Sequence, residues 1–196
     1  MYRPLRSLLL AACGAATIGA SPGPGVATAV FAGGCFWSME HDLEKVAGVT
    51  DVVSGYTGGR LANPTYEDVV TETTGHYEAV RVTYDPRRIS YAKLADAYFR
   101  TTDPTDAGGA FCDRGESYTP AVFATPQQRV EAEAAKARAA KQLGRPLATK
   151  ILAAARFYPA ESYHQNYAAR NRLHYGAYRV GCGKDRRLAQ LWGKKG

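Results

Sequence analysis

The chain has 196 residues, of which 45% are hydrophobic and 22% charged, and its formal net charge is +7. This length and composition exclude a disordered or fibrous chain and fit one soluble globular domain with a buried core. The basic residues gather late in the chain without a base-reading motif, so we expect a solvated basic surface and no nucleic-acid partner.

The first segment, residues 1–26, does not have the pattern of a folded element. Two arginines precede a run of small apolar residues, and a Ser-Pro-Gly-Pro-Gly break follows at 21–25. This order is typical of a secretory signal or a short anchor, and Cys13 also matches the site at which bacterial lipoprotein precursors are cut and lipidated. We expect a periplasmic protein or a membrane-anchored lipoprotein of the bacterial envelope, or alternatively a cytoplasmic protein with a disordered extension, and a single domain over 27–196.

Apolar periodicity predicts the elements that follow. The predicted strands are 26–31, 49–56, 76–84, 121–124 and 151–157. The predicted helices are 35–46, 90–100, 125–144 and 162–171, with long loops over 60–75 and 101–119. This order favours an α+β two-layer sandwich, in which helices pack on a mixed β-sheet with a ferredoxin-like plait core, followed by an irregular C-terminal tail.

Cys35 is the most reactive candidate in the chain. It follows Gly33-Gly34 and opens a predicted helix, where unpaired backbone N–H groups and the helix dipole favour thiolate over thiol. Phe36 and Trp37 place an apolar wall beside it. We therefore interpret Cys35 as a nucleophile rather than as a small buried hydrophobic residue.

The remaining cysteines do not form a static framework. If Cys13 belongs to a signal, three cysteines remain, and no pair has the spacing of a zinc or thioredoxin motif. Cys182 lies in a Gly-Cys-Gly segment that suits a thiol that must move. Cys112 is either a packed thiol or an alternative redox partner. The histidines His76, His164 and His174 are expected to be structural, since no metal-ligand spacing links them.

Glu78 lies on the same predicted strand face as Val80 and Val82. A surface carboxylate would more often lie on the opposite face. A carboxylic acid on an apolar face has its pKa raised by desolvation and can stay protonated near neutral pH. Glu78 is therefore a candidate proton donor.

Five segments together resemble the A-type peptide methionine sulfoxide reductases, in the family's order and spacing over about residues 27–182. The segments are Gly34-Cys35-Phe36-Trp37, Gly55-Tyr56-Thr57-Gly58-Gly59, Asn63-Pro64-Thr65-Tyr66, Thr74-Gly75-His76-Tyr77-Glu78-Ala79-Val80 and Asp103-Pro104-Thr105. The set is specific, whereas Gly-Cys-Phe-Trp by itself would be only suggestive.

The resemblance implies a role for each matching residue. Cys35 is implied to be the nucleophile, Glu78 the acid near the sulfoxide oxygen and Cys182 the first recycling cysteine. The implied substrate-binding residues are the methyl-holding aromatics Phe36 and Trp37, the oxygen-binding Tyr66, and, in the long loop, Asp113 and Tyr118.

The implied reaction is the reduction of methionine S-sulfoxide, free or protein-bound, to methionine, as a repair of oxidised proteins. Cys35 attacks sulfur, Glu78 delivers a proton, and Cys35 is left as a sulfenic acid. Cys182 condenses with it to a Cys35–Cys182 disulfide, which thioredoxin or a similar dithiol reduces. The resemblance implies no metal or organic cofactor, and we expect a monomer.

The chain departs from the commonest family pattern in the loop segment 107–113, at Thr119, and in having no cysteine after Cys182. The last departure predicts a single recycling step.

Two rival interpretations make poorer use of these residues than the reductase does. A cysteine hydrolase activated by His76 or His164 leaves Glu78 without a role, and a binding module without chemistry leaves the Gly-Cys-Gly segment unexplained.

Overall fold

In the computed structural model, which describes residues 25–193, a six-stranded sheet forms the centre of the fold. The strands are β1 Ala27–Ala32, β2 Val49–Thr57, β3 Tyr77–Tyr84, β4 Gly109–Ala110, β5 Asp113–Arg114, β6 Ala121–Ala124, β7 Lys150–Ala153 and β8 Phe157–Pro159. The α-helices are α1 Phe36–Leu43, α2 Tyr66–Val69, α3 Tyr91–Phe99, α4 Pro126–Leu143, α5 Tyr167–Arg170, α6 Arg172–Gly181 and α7 Lys184–Trp192.

The main sheet has the order β7-β6-β1-β3-β2-β8, and β4 pairs with β5 in a separate hairpin. Its four inner strands are antiparallel, whereas β7 lies parallel to β6 at one edge. The chain order β1-α1-β2-β3-α3-β6 over these inner strands is a ferredoxin-like plait. The predicted α+β mixed sheet with packed helices is therefore confirmed.

The core lies between the sheet and the helices packed on it. Its largest fully buried apolar side chains include Phe31, Phe36, Met39, Leu43, Leu94 and Tyr98. The caps that the sequence predicts are present: Ser90 accepts a hydrogen bond from the Lys93 N–H at the start of α3, and Thr125 forms a capping box with Gln128 at the start of α4.

Several predicted loops contain regular structure. The loop over 60–75 contains α2, and the loop over 101–119 contains the β4–β5 hairpin and a 3-10 helix, Glu116–Tyr118. The single strand predicted over 151–157 is wrong, because β7 and β8 lie at opposite edges of the sheet. The helix predicted over 162–171 is reduced to α5.

The predicted irregular tail is also wrong, because it forms α6 and α7. Ion pairs hold both helices against α1: the Asp42 carboxylate lies 3.0 Å from the Arg179 guanidinium and 3.1 Å from the ammonium of the buried Lys184. The Gly-Cys-Gly segment is the joint between the helices, where Cys182 ends α6 and Gly183, with φ +64°, precedes α7. The joint is therefore packed rather than free.

Two further points concern membranes and the N-terminus. Within residues 25–193, no helix combines the length and apolar character needed to cross a bilayer. The predicted signal or lipoprotein segment, with Cys13, lies outside the described residues apart from its last two positions.

Candidate active site

Two glycines bring the start of α1 against the long loop. The Gly33 backbone lies so close to Thr102 that an added Cβ would fall 2.5 Å from its hydroxyl oxygen. Gly34 has φ +95°, and a Cβ there would lie 3.1 Å from the Cβ of Ala110. The Gly34 N–H donates to the Tyr118 carbonyl at 2.9 Å. Only glycine permits this approach, which places Cys35 beside the loop.

Three titratable side chains meet at this helix start. The Phe36 N–H donates to Glu78 Oε2 at 3.0 Å. The Trp37 N–H acts to lower the pKa of the Cys35 thiol, and the Cys35 N–H acts to lower the pKa of the Asp113 carboxyl. The nucleophile and two acidic groups therefore share one helix terminus.

This crowding overturns the expected thiolate. Burial, followed by the nearby Glu78 and Asp113 carboxyls, raises the pKa of the Cys35 thiol well above its ordinary value. The Trp37 N–H and the Tyr178 hydroxyl lower it, but by less. The Trp37 N–H acts in the direction that the sequence predicted, and the desolvation that the sequence could not show outweighs it.

Glu78, on β3, is buried as its strand pattern predicts. Desolvation raises its pKa to about 8, although hydrogen bonds from the Phe36 N–H and the Tyr118 hydroxyl act in the opposite direction. Nearby Asp113 raises it further. At neutral pH this group is therefore a carboxylic acid that lies close to the thiol.

Two phenols lie beside this acid. Tyr118 hydrogen-bonds with both Glu78 and Tyr66, and burial raises the pKa of both tyrosines. Glu72 holds the loop in place, because it accepts from the Ser117 N–H at 3.0 Å and from the Ser117 hydroxyl at 2.6 Å. The two phenols are protonated donors in a fixed position.

An aromatic cluster surrounds Phe36 and Trp37, the two residues that follow Cys35. Tyr167 stacks on Trp37 with ring centroids 3.7 Å apart, and the Trp37 Nε1–H donates to His164 Nδ1 at 3.0 Å. The His164 ring packs against Phe36 and Tyr66, with centroids 4.9 and 4.8 Å away. Burial lowers the pKa of His164, so the imidazole is neutral. The sequence predicts only a structural role for His164 and does not indicate its place in this cluster.

A buried carboxyl supports the segment that carries His164. Glu40 accepts from the Asn166 N–H at 3.0 Å and from the Ser54 hydroxyl at 3.2 Å, and burial raises its pKa to about 7. The Gln165 side chain bonds to both the N–H and the carbonyl of Ser54. No local pattern in the sequence indicated this support.

Tyr178 is the second residue that sequence reasoning missed. Its hydroxyl donates to Asp113 Oδ2 at 2.6 Å and also hydrogen-bonds with the Cys35 thiol. It is one of thirteen tyrosines, and the signal that could have found it is its position one turn before Cys182.

The disulfide in the structure is not the predicted one. Cys182 is bonded to Cys112, with their Cα atoms 4.9 Å apart, and Cys35 is a free, buried thiol. The physical reason is proximity, since the β4–β5 turn carrying Cys112 meets the end of α6 at the surface. The bond nevertheless lies next to the site, because Asp113 follows Cys112 directly and Tyr178 accepts from the Cys182 N–H through its carbonyl at 2.9 Å.

The histidines give no support to a hydrolase. His76 accepts from the Gly59 N–H through Nδ1 and bonds to the Leu61 carbonyl through Nε2, which confirms its structural role. His164 is engaged with Trp37. Within residues 25–193, no group of three or more metal-ligating side chains could hold a metal ion.

The comparisons with known proteins agree with this geometry. The family described as peptide methionine sulfoxide reductase matches residues 27–196. The peptide methionine sulfoxide reductase MsrA 2 of Caulobacter vibrioides is 58% identical over 193 residues, which cover 96% of this chain and 98% of that protein.

Two solved structures are also similar. Methionine sulfoxide reductase A of Corynebacterium diphtheriae matches with a TM-score of 0.72 and 32% identity over 77% of each chain. Mxr1 of Saccharomyces cerevisiae in complex with Trx2 matches with a TM-score of 0.52 and 26% identity over 78% of this chain and 91% of that chain. Because sequence identity, coverage and fold agree, the chain belongs to the A-type peptide methionine sulfoxide reductases, oxidoreductases that reduce methionine sulfoxide.

Proposed function

We propose that Cys35 reduces the S epimer of methionine sulfoxide, free or in proteins, through a sulfenic acid, and that Cys182 and Cys112 then restore the thiol in two exchange steps. The observation that carries this proposal is a free Cys35 thiol beside a protonated Glu78, with a disulfide between the other two cysteines immediately next to the site.

The site suits a small polarised S=O group that carries an apolar methyl. Phe36 and Trp37 supply the apolar wall for the methyl. Tyr66 and Tyr118 donate hydrogen bonds to the oxygen, and Glu78 supplies the proton that the oxygen needs as its bond to sulfur weakens. Tyr66, Tyr118 and Glu78 are each protonated at neutral pH, so the site can donate hydrogen bonds and a proton as soon as the substrate binds.

The first step balances without a cofactor. The sulfoxide S–O bond breaks, a bond between that oxygen and the Cys35 sulfur forms, and the thiol hydrogen ends on the oxygen. Two electrons pass from the Cys35 sulfur to the methionine sulfur, so methionine is released and Cys35 becomes a sulfenic acid. Glu78 gives its proton to the sulfoxide oxygen as the S–O bond weakens. It is protonated again when Cys35 releases the thiol proton.

Recycling then uses two thiols in turn. Cys182 attacks the sulfenic sulfur, a Cys35–Cys182 bond forms, and the oxygen leaves as water with two protons. Cys182 lies at the joint between α6 and α7, separated from the first residue of α7 by Gly183. Cys112 next attacks the Cys182 sulfur and releases Cys35. The disulfide predicted from the sequence is then a transient, and the Cys112–Cys182 bond is the oxidised resting state.

A thioredoxin-type dithiol closes the cycle. Its thiolate attacks the surface disulfide to give a mixed disulfide, and its second thiol releases the two cysteines as thiols, which supplies two electrons. The complex of the yeast relative with Trx2 supports such a partner. The expected oligomeric state for this exchange is a monomer.

We also propose a location in the bacterial envelope, on the composition of residues 1–26 alone. The measurement is the intact mass of the protein purified from its native cells. A mass beginning after a signal cleavage site, or at a lipidated Cys13, agrees with the proposal. A mass that includes the whole segment, in protein recovered from the cytoplasmic fraction, contradicts it.

The relay is tested by first reducing all cysteines, removing the reductant and then counting the methionine released per chain, in a Cys13→Ser background. Two methionines are expected from the parent protein, because Cys35 is freed once and reacts again. Cys112→Ser and Cys182→Ser are each expected to release one, and Cys35→Ser none. A single methionine from the parent protein would contradict the relay, and the R epimer of the sulfoxide serves as the unreactive control.

The acid is tested with Glu78→Gln in the same single-turnover assay. Loss of the proton donor is expected to slow methionine release by about 100-fold or more. In the parent protein the rate is expected to fall as pH rises through about 8, because Glu78 then ionises, and this fall should be absent in the variant. Glu131→Gln, an exposed carboxyl on α4, is the matched control. An unchanged rate in Glu78→Gln would remove it as the acid.

A further inference from the structure

Within residues 25–193, Lys184 is the one lysine that is fully buried. Only 2% of its surface is exposed, although lysine is among the residues least often found inside a protein. Its Nζ lies 3.1 Å from the Asp42 carboxylate and 5.1 Å from the centroid of the Phe111 ring. Taking an ammonium group out of water costs free energy that its contacts must offset.

Lys184 lies close to the disulfide, both in the chain and in space. Gly183 alone separates it from Cys182. The Phe111 ring beside its Nζ belongs to the residue that precedes Cys112. Phe111, Cys182 and Gly183 also line one groove. The buried charge is therefore close to both halves of the disulfide.

The contact with Asp42 does not by itself explain why Lys184 carries a charge. Asp42 already pairs with Arg179, whose Nη1 lies 3.0 Å from Oδ1. The Lys184 Nζ has no hydrogen-bond acceptor in suitable geometry among the described residues, so its contact with Asp42 is Coulombic. Because Arg179 would remain as the partner of Asp42, an apolar side chain in place of Lys184 would avoid the desolvation cost.

The surroundings of Lys184 leave its ammonium group short of negative charge. Burial lowers the pKa of Lys184, and the Asp42 carboxylate acts in the opposite direction. A further anion beside Nζ would favour the ammonium in the same way. The other ionisable groups within the range of this charge are Cys35, His41, Asp113, Arg179 and Asp185. The charged groups that line the groove beside Cys182 are Asp103, Asp106, Arg186 and Arg187.

The cations of this groove differ from Lys184. Arg187 lies 2.6 Å from Asp103, so its charge is already paired. Arg186 is exposed, so water and salt screen its charge. Lys184 is therefore the cation near Cys182 that is both buried and without a hydrogen-bond acceptor.

The proposed cycle makes Cys182 a thiolate at two points. In the relay its sulfur attacks the sulfenic sulfur of Cys35. In the reduction of the disulfide, Cys112 is the exposed half and Cys182 the half-buried one, so the reductant bonds to the Cys112 sulfur. The bond between the two cysteines then breaks, and Cys182 takes the electron pair. A thiol of lower pKa is more often a thiolate at neutral pH and leaves faster.

We propose that the buried ammonium of Lys184 stabilises the Cys182 thiolate in the reduced enzyme. The thiolate is then the acceptor that Nζ lacks while Cys182 is bonded to Cys112. Lys184 acts through Cys182 and not on the sulfoxide. This inference rests on the proposed function.

The test measures the pKa of the Cys182 thiol in a whole chain that carries Cys13→Ser, Cys35→Ser and Cys112→Ser, from the rate of alkylation by iodoacetamide across pH. We expect a pKa below the ordinary value of about 8.5. Lys184→Met is expected to raise this pKa and to slow alkylation at pH 7 by about tenfold or more, because a thiol whose pKa is higher by one has about a tenth of the thiolate.

Two variants are the controls. Lys184→Arg keeps the charge and is expected to keep the pKa of the Cys182 thiol near that of the parent protein. Lys141→Met removes an exposed lysine on α4 and is expected to leave it unchanged.

A second readout is the rate at which dithiothreitol reduces the Cys112–Cys182 bond in the Cys13→Ser protein. This rate is expected to fall by about threefold or more in Lys184→Met, because a thiol of higher pKa leaves more slowly. After prior reduction, the variant is still expected to release two methionines per chain, because Lys184 affects the rate of exchange and not the number of thiols.

An unchanged pKa of the Cys182 thiol in Lys184→Met would overturn the inference. An equal rise in Lys184→Arg would also overturn it, because packing rather than charge would then be responsible. Lys184→Gln repeats the measurement if Lys184→Met does not fold. The proposed function would fail separately, through loss of the methionine burst from the parent protein.

Discussion

The first turn of α1 is the constraint on which the site depends. A helix start offers only a few free N–H groups, and here Glu78 accepts from one of them while Cys35 and Asp113 lie beside it. Two carboxyls and a thiol are thereby concentrated in a buried volume where a negative charge on any one raises the pKa of the others. As a result, the Cys35 thiol and the Glu78 carboxylic acid are both uncharged at neutral pH, and the proton of Glu78 lies close to the Cys35 sulfur.

The same helix also contacts α6 and α7, the helices on either side of Cys182. Asp42, near the far end of α1, fastens α6 and α7 through Arg179 and Lys184. Burial raises the pKa of Asp42, but the two cations outweigh burial and hold it below the usual range. Through these ion pairs α1 positions Tyr178 beside the thiol and Cys182 at the surface. The start of α1 therefore positions Cys35, and its far end positions the helices next to Cys182.

Local pattern predicted much of this protein from its sequence. Strict alternation identified β3 and placed Glu78 on its buried face, and Gly33-Gly34 with the following aromatics identified the start of α1. These predictions succeeded because strand alternation and helix caps are properties of neighbouring residues. The motif resemblance added the distant residues Tyr66 and Tyr118, and the structure places Tyr118 beside both Glu78 and Tyr66.

The failures have a common physical cause. The thiolate prediction failed first because Cys35 is buried, and second because two carboxyls approach it from positions 43 and 78 residues away in the chain, which local periodicity does not indicate. Tyr178 meets Asp113 across 65 residues, and Trp37 meets His164 across 127. The prediction of an irregular tail failed because ion pairs with the distant Asp42 help to stabilise the two short helices, and local sequence does not indicate those pairs.

The protonation state of Glu78 is the most direct measurement of this neutral site. Carbon-13 NMR of the protein labelled at glutamate side-chain carboxyls, compared with Glu78→Gln to assign the signal, reports it across a pH titration. A carboxyl that stays protonated at pH 7 and titrates near pH 8 is predicted. A Glu78 signal that is already ionised at pH 6 would contradict a stored proton beside Cys35.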